Sequence, residues 1–405
     1  MLIKKPILTK DASNVKIQLE IETGCETLNL WYSVNQSYES YLTYDIADAY
    51  IVAFLIYAMR KGEDIQSEIP ISESLYFSLT KYLIPFLCKI NNSLQPILIK
   101  GELFNAKYEC DHIGTGISAG VDSLSTIIYH GLEEQIISRK ITTLTLLNTG
   151  YYGGVNTSSG RFNERVKKIS QFCEENNYPL LTVDTNIANL TQYKFLETHT
   201  YLTCSTLLLL QKYFKVYYYS SGYPIYSFQS NFSDTSYYDS FLLNCISTSS
   251  LKFISSCSVF TRVKKTDIIS NYPLLLKYLR VCTAGKREYN NCGKCEKCLR
   301  TILAFDSLGK LDLLPETFSK DQYLRKRILY ISYMLRTSRR KKDVFYKEIR
   351  ESFKKNNVSI PILSHVIYIP LKFEIKRGVF VFSQTILGKA LRNFTHSLKK
   401  DNNEK

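Results

Sequence analysis

Four cysteines, Cys282, Cys292, Cys295 and Cys298, stand in the pattern C-x9-C-x2-C-x2-C. Thiolates two residues apart can meet on one tetrahedral ion, Gly293 lets the backbone turn between them, and Lys294 and Lys297 offset part of the thiolate charge. Four soft ligands with no spare position point to structural Zn²⁺; an iron–sulfur cluster or a reduced, metal-free loop would use the same residues. A second segment, Ile117-Ser118-Ala119-Gly120-Val121-Asp122-Ser123, lies between a strand pattern and a helix pattern. A loop there turns backbone N–H groups and a helix start toward the strand ends, where they stabilise a polyphosphate. Ser118 and Ser123 add hydroxyls, and Asp122 makes sense beside phosphate as a holder of Mg²⁺ or of the first helix amides. Asp122-Ser123 also reads as a plain helix start after a tight turn. A dinucleotide pattern, Gly-x-Gly-x-x-Ala over Gly114 to Ala119, needs an acid at the end of a second strand, whereas Glu133 and Glu134 fall inside a predicted helix.

The elements that must carry these residues follow from periodicity. Alternating apolar residues predict strands over 15–21 and 28–34, helical patterns over 45–60 and 72–90, and a strand over 96–103, a mixed α/β unit covering residues 1–110. From His112 a short strand and the glycine turn lead to a helix over 122–138, and the alternation continues with a strand at 141–147, a helix at 161–177 and a strand at 180–184. A helix at 198–214 and a strand at 216–220 follow. This order predicts an α/β fold, a parallel sheet with helices on both faces over 111–314, with ligands at the carboxyl ends of the strands. Residues 315–405 read as a basic, mostly helical extension with Leu324, Ile328, Ile331 and Leu335 on one face, ending in a strand pair turning at Arg377-Gly378.

Ser118-Ala119-Gly120-Val121-Asp122-Ser123 resembles the Ser-Gly-Gly-x-Asp-Ser signature of the PP-loop ATP pyrophosphatases, with Ala119 in place of the first glycine. Followed by the cysteine pattern and then Arg300, it is similar to the 7-cyano-7-deazaguanine synthase branch of that superfamily over residues 111–310, about half the chain. The resemblance implies an adenine nucleotide alpha hydrolase-like domain that splits ATP to AMP and pyrophosphate with Mg²⁺. An oxygen of a small-molecule acceptor would be adenylated, and ammonia or another nucleophile would displace AMP. It implies nucleotide contacts from Ser118, Ala119, Gly120, Val121, Asp122 and Ser123, with Asp122 and Ser123 central to the chemistry. Asn148, Thr149 and Gly150 would lie against adenine and ribose, and Ser221 and Gly222 would face the same crevice; strand-end turns need such residues for local reasons as well. Where Ala119 needs positive φ, the loop is weakened.

Other residues read more plainly. Arg262, Lys264 and Lys265 precede a predicted helix and either neutralise phosphate or form a solvated charge run. His199, near Glu197, reads as structural, and Cys204 and Cys257 as buried, inert thiols.

The composition, 45% hydrophobic and 22% charged over 405 residues, is that of an ordinary globular chain, which excludes a disordered or fibrous protein. No secretory leader is visible, and the longest apolar run, 49–59, is too short for a bilayer, so a cytoplasmic protein without membrane contact is expected. The net charge of +15 divides as −3 over residues 1–110, +5 over 111–315 and +13 over 316–405. The basic tail allows a nucleic-acid substrate, a base or tRNA, as an alternative, although an apolar stripe docked on the acidic N-terminal unit leaves the same charges solvated. A third alternative is a non-catalytic nucleotide-binding subunit in a homo-oligomer or with a partner protein.

Overall fold

In residues 14–22 and 27–35 every second side chain is apolar, and a strand with that period can bury one face only. Val15, Ile17, Leu19 and Ile21, and opposite them Leu28, Leu30, Tyr32 and Val34, are buried. The computed structural model describes residues 1–105, 107–150, 155–191, 193–282, 291–339, 343–366, 372–373 and 380–381, with main chain alone at 155–159, 372–373 and 380–381. In chain order its strands are β1 (Leu2–Ile3), β2 (Ile7–Lys10), β3 (Asn14–Glu22), β4 (Thr27–Asn35), β5 (Ile65–Ser67), β6 (Ile71–Ser72), β7 (Ile99–Lys100) and β8 (Leu103–Phe104). They continue with β9 (His112–Gly116), β10 (Thr143–Leu147), β11 (Leu180–Thr185), β12 (Phe214–Ser220) and β13 (Lys252–Ser256).

Eleven of these form one sheet in the order β13-β12-β9-β10-β11-β4-β3-β1-β5-β7, with β2 paired to β3; β6 and β8 pair separately. The neighbours from β13 to β11 run parallel. The sheet then changes direction at β4, which pairs antiparallel with β11 through Val183↔Val34, Asp184↔Ser33 and Thr185↔Tyr32. Asn186 fastens this seam by accepting from the Trp31 amide (2.9 Å) and donating to the Asn29 carbonyl (2.8 Å).

The seam joins the N-terminal strands to the parallel part of the sheet. The two compact units are Met1–Leu279 and Arg280–Lys405, where the sequence reading places boundaries at 110/111 and 314/315. Pairing with β11 makes strands of the first 110 residues part of the same sheet as the strand that leads into the glycine loop.

Helices cover both sides of the sheet. Tyr217 on β12 belongs to one buried cluster with the helices Asp48–Lys61 and Phe195–Leu208, while its neighbour Tyr218 stacks on His130 (3.8 Å), beyond the helix that follows the glycine loop. The apolar run 49–59 forms a core helix, and its Asp48 carboxylate accepts from Ser72 N–H (2.9 Å) and from Gln211 Nε2 (2.9 Å). Burial pushes the Asp48 carboxyl up, against those hydrogen bonds. Among the described residues no helix is long and apolar enough to cross a membrane.

The second unit is built around three helices, Glu296–Ser307, Lys320–Thr337 and Val344–Lys355. Asp306 joins the first two by accepting from Tyr323 OH (2.5 Å) and Arg327 Nε (2.7 Å), and Arg300 lies over the Phe345 ring (4.4 Å) of the third. Of the expected stripe, Ile331 and Leu335 are buried; Leu324 and Ile328 are exposed, because Tyr323 and Tyr330 take the inward positions. Strands at Lys372–Phe373 and Phe380–Val381 pair antiparallel, and the expected turn at Arg377-Gly378 lies outside the described residues.

Candidate functional site

The glycine loop leaves β9 at Gly116 and hangs on the neighbouring strand, Ile117 N–H donating to the Thr145 carbonyl of β10 (2.9 Å). Ser118 and Ser123 then close the loop on itself. Their hydroxyls are 3.2 Å apart, Ser118 N–H donates to Ser123 Oγ (3.3 Å), and Ser123 Oγ donates to the Gly120 carbonyl (3.2 Å). Arg165, buried on the helix Val155–Glu175, donates to the Ser118 carbonyl from behind. Val121–Ile127 is helical from there, as the helix-start reading requires.

Ala119 has φ of 49° and is buried. The position therefore needs the left-handed conformation that glycine adopts freely and alanine adopts at a cost of about 1–2 kcal/mol. Ala119→Val is expected to destabilise by about 2–3 kcal/mol, since a β-branched side chain is worse still at positive φ and the site is closed. Ala119→Gly is expected to stay within about 1 kcal/mol of the parent, strain relief offsetting the lost methyl and the freer unfolded chain. Equal urea midpoints for the valine and glycine variants would show that the loop does not depend on this geometry.

Asp122 is not open to solvent ligands alone. Its Oδ2 lies 2.9 Å from Arg262 Nη2 and its Oδ1 3.3 Å from Lys265 Nζ. Both cations sit on the helix Arg262–Ser270, three residues apart and so on one face, and Thr261 Oγ1 caps that helix by accepting from Lys264 N–H (3.0 Å). Lys264 turns away to Asp267 (2.9 Å). Lys265 is 1% exposed and donates to the Ser221 carbonyl (2.8 Å) and Ser221 Oγ (3.1 Å), which ties the loop to the end of β12. A Mg²⁺ on either Asp122 oxygen would lie about 5 Å from one of these cations, a repulsion of about 7 kcal/mol at an effective dielectric of about 20.

Asn148, Thr149 and Gly150 stand at the carboxyl end of β10, as the strand pattern requires. Asn148 donates to Asp184 Oδ1 (2.7 Å) at the end of β11, and Gly150, at φ of 103°, has Ala188 where a Cβ would come within 2.7 Å. Gly222 lies past β12, with Ser236 Oγ 3.2 Å from the position of a Cβ. All the loop and turn residues thus gather at one end of the parallel strands.

Between the two turns lies a polar cluster that the sequence pattern does not disclose. His199 Nδ1 is 3.0 Å from Tyr219 OH, and its Nε2 is 2.9 Å from Thr235 Oγ1 and 3.4 Å from Asp234 Oδ1; Phe195 stacks on its ring. Burial opposes ionisation of Asp234, yet the His199 bond and the Ser236 amide hold its carboxyl below the ordinary range. Nearby Asp239 accepts from Ser255 Oγ (3.1 Å), its Oδ2 is buried without a hydrogen-bond partner, and desolvation pushes the carboxyl up to about 7. Glu197 is occupied instead by Arg60 and by Lys194 (3.3 Å). Cys204 and Cys257 are buried, and burial pushes both thiols up, as expected of inert cysteines.

The four cysteines form a separate centre within Arg280–Lys405, rather than in the nucleotide unit where the sequence reading groups them. One sulfur from each lies within 4.8 Å of the others, close enough to share one ion. Gly293 has φ of 66°, Cys295 N–H donates to Cys292 Sγ (3.2 Å), and Asn291 Oδ1 accepts from Val281 N–H (2.9 Å) and Cys282 N–H (3.1 Å). The sulfurs compete for protons: Cys282 first among the neighbours holds the Cys292 thiol low and pushes the Cys298 thiol up. Four sulfurs this close are all thiolates only around a cation, so the cluster can hold a metal.

Comparison with known proteins finds no matching family model, no matching curated protein and no matching solved structure.

Proposed function

We propose that the chain is an ATP-using enzyme that cleaves ATP to AMP and pyrophosphate and so activates an oxygen of a small-molecule acceptor. The acceptor oxygen forms a bond to the α-phosphorus as the bond from that phosphorus to the bridging oxygen breaks, and the pair leaves on pyrophosphate. Ammonia or another nucleophile then bonds to the activated carbon, AMP departs with the acceptor oxygen, and the nucleophile's proton passes to solvent. Such chemistry needs positioning and positive charge for the leaving pyrophosphate more than it needs a protein nucleophile.

The observation that carries this reading is the gathering of Arg165, Arg262 and Lys265 on the Ser118–Ser123 loop, at the carboxyl end of a parallel sheet. Ser118 and Ser123 supply hydroxyls beside that charge. The turns at Asn148–Gly150 and Ser221–Gly222 lie at the same end of the parallel strands, and in this reading they contact the base and the ribose. For the four-cysteine centre we propose Zn²⁺, held by Cys282, Cys292, Cys295 and Cys298 in a structural role, because four thiolates leave no open position for a reactant.

A product assay tests the function. The purified chain, Mg-ATP, ammonium and a metabolite extract are incubated beside Ser118→Ala. AMP and pyrophosphate in equal amounts, formed by the parent and reduced about tenfold or more in the variant, are expected. ADP and phosphate would sink the proposal. Bound ATP that does not turn over would assign a nucleotide-binding subunit instead.

A further inference from the structure

Asp122 is the residue that the loop's chemistry makes a holder of Mg²⁺ or of the first helix amides, and its surroundings fit a metal poorly. Each carboxylate oxygen already faces a cation, Arg262 at 2.9 Å and Lys265 at 3.3 Å. Mg²⁺ demands near-octahedral oxygen ligands and gives up its waters reluctantly, so it does not displace two cations held in place by the fold. Lys265 is so held: it is buried, it hydrogen-bonds both the carbonyl and the hydroxyl of Ser221, and its helix is capped at Thr261. Arg262, one turn earlier on the same face, keeps part of its side chain exposed (21%).

We infer that Asp122 is an internal counter-ion that positions Arg262 and Lys265, and that the loop grips a polyphosphate chain through its own cations without a divalent metal on Asp122. This rests on the reading of the loop as a polyphosphate site. Arg262 supplies the contact: a planar guanidinium matches two phosphoryl oxygens at once. Lys265 supplies the support, fixing Asp122 from beneath so that Asp122 fixes Arg262. Arg165, Arg262 and Lys265 gather with Asp122 at the loop, and their positive charge favours a metal-free chain over one already neutralised by Mg²⁺. The chain can belong to inorganic pyrophosphate or to the tail of a nucleoside triphosphate; the chemistry recognised is the same.

Calorimetric titration of the full chain separates the cases. Inorganic pyrophosphate, a non-hydrolysable ATP analogue and AMP are each titrated with MgCl2 and in buffer freed of divalent ions by resin; no soluble chelator is added, so the cysteine centre is undisturbed. Pyrophosphate and the analogue are expected to bind without Mg²⁺ at least as tightly, within about threefold, as with it. Arg262→Gln is expected to weaken both by about tenfold or more in either buffer, with its thermal midpoint unchanged and AMP unaffected. Binding that appears only with Mg²⁺, and loses that dependence in Asp122→Asn, would overturn the inference and leave the polyphosphate reading intact. Absence of pyrophosphate and analogue binding in both buffers would remove the polyphosphate reading itself.

Discussion

The four-cysteine centre is expected to carry a zinc ion whose removal unfolds the helical part of Arg280–Lys405 while Met1–Leu279 keeps its fold. The two compact units are distinct, and the smaller has its cysteine knuckle at the head of the helix Glu296–Ser307, which carries the buried Leu299, Ile302, Leu303 and Phe305. Binding free energies of structural zinc in small domains are about 10–16 kcal/mol at neutral pH, comparable to or larger than the stability of a whole domain. Metal analysis is expected to find one zinc per chain, and Cys298→Ser to lose it. After chelation, limited proteolysis should cut between residues 291 and 366 and spare the sheet. Affinity should fall as pH drops, because protons then compete for the thiolates. A chelated protein with unchanged helix content and unchanged cleavage would show that the cysteines are not a folding site.

The second large effect concerns an asymmetric ion pair. Asp122→Ala is expected to cost about 3–5 kcal/mol, since it takes the ion-paired carboxylate away from the buried Lys265 ammonium. Lys265→Met is expected to cost less, about 1–2 kcal/mol, because the Asp122 side chain is partly exposed (24%) and keeps Arg262. The double variant should be no less stable than Asp122→Ala alone. Denaturant melts of the three proteins measure this, and equal losses for the two single variants would mean that the buried lysine is not the costly partner. The same result bears on enzymology: loss of activity in Asp122→Ala reports folding before it reports chemistry, and Ser118→Ala is the cleaner probe.

How far the sequence discloses this arrangement depends on how local each signal is. The strands β3 and β4 are legible because alternation runs through nine residues of each. The loop and the cysteine knuckle are legible because their residues are adjacent in the chain, and the structure puts Gly293 at positive φ as the knuckle reading requires. Arg262 and Lys265 are visible as a charge run, but only the fold turns them inward and Lys264 outward. Arg165, Asp234 and Asp239 carry no signal at all: each sits in an ordinary stretch and acquires its partners, the Ser118 carbonyl, His199 and Ser255, from distant segments. The helix expected to run to 138 breaks earlier, at Leu132, and that expected over 198–214 starts at Phe195 and ends at Leu208, leaving Phe214 to open β12. Apolar runs such as Leu207 to Leu210 satisfy a helix or a strand equally, so tertiary pairing decides the boundary.

The antiparallel seam between β4 and β11 imposes a delay during synthesis. Trp31 and its partner Asn186 are 155 residues apart, and a ribosome adding about 5–20 residues per second needs roughly 10–30 seconds to cover that distance. For that interval the finished β2-β3-β4 meander carries an open edge, with Leu28, Leu30, Tyr32 and Val34 alternating along it. An apolar edge of that kind is a template for the wrong strand from a neighbouring nascent chain. The core helix Asp48–Lys61, which emerges next, is the first piece able to shelter that strand's apolar face, so crowding on polysomes is where this protein is most exposed to misassembly.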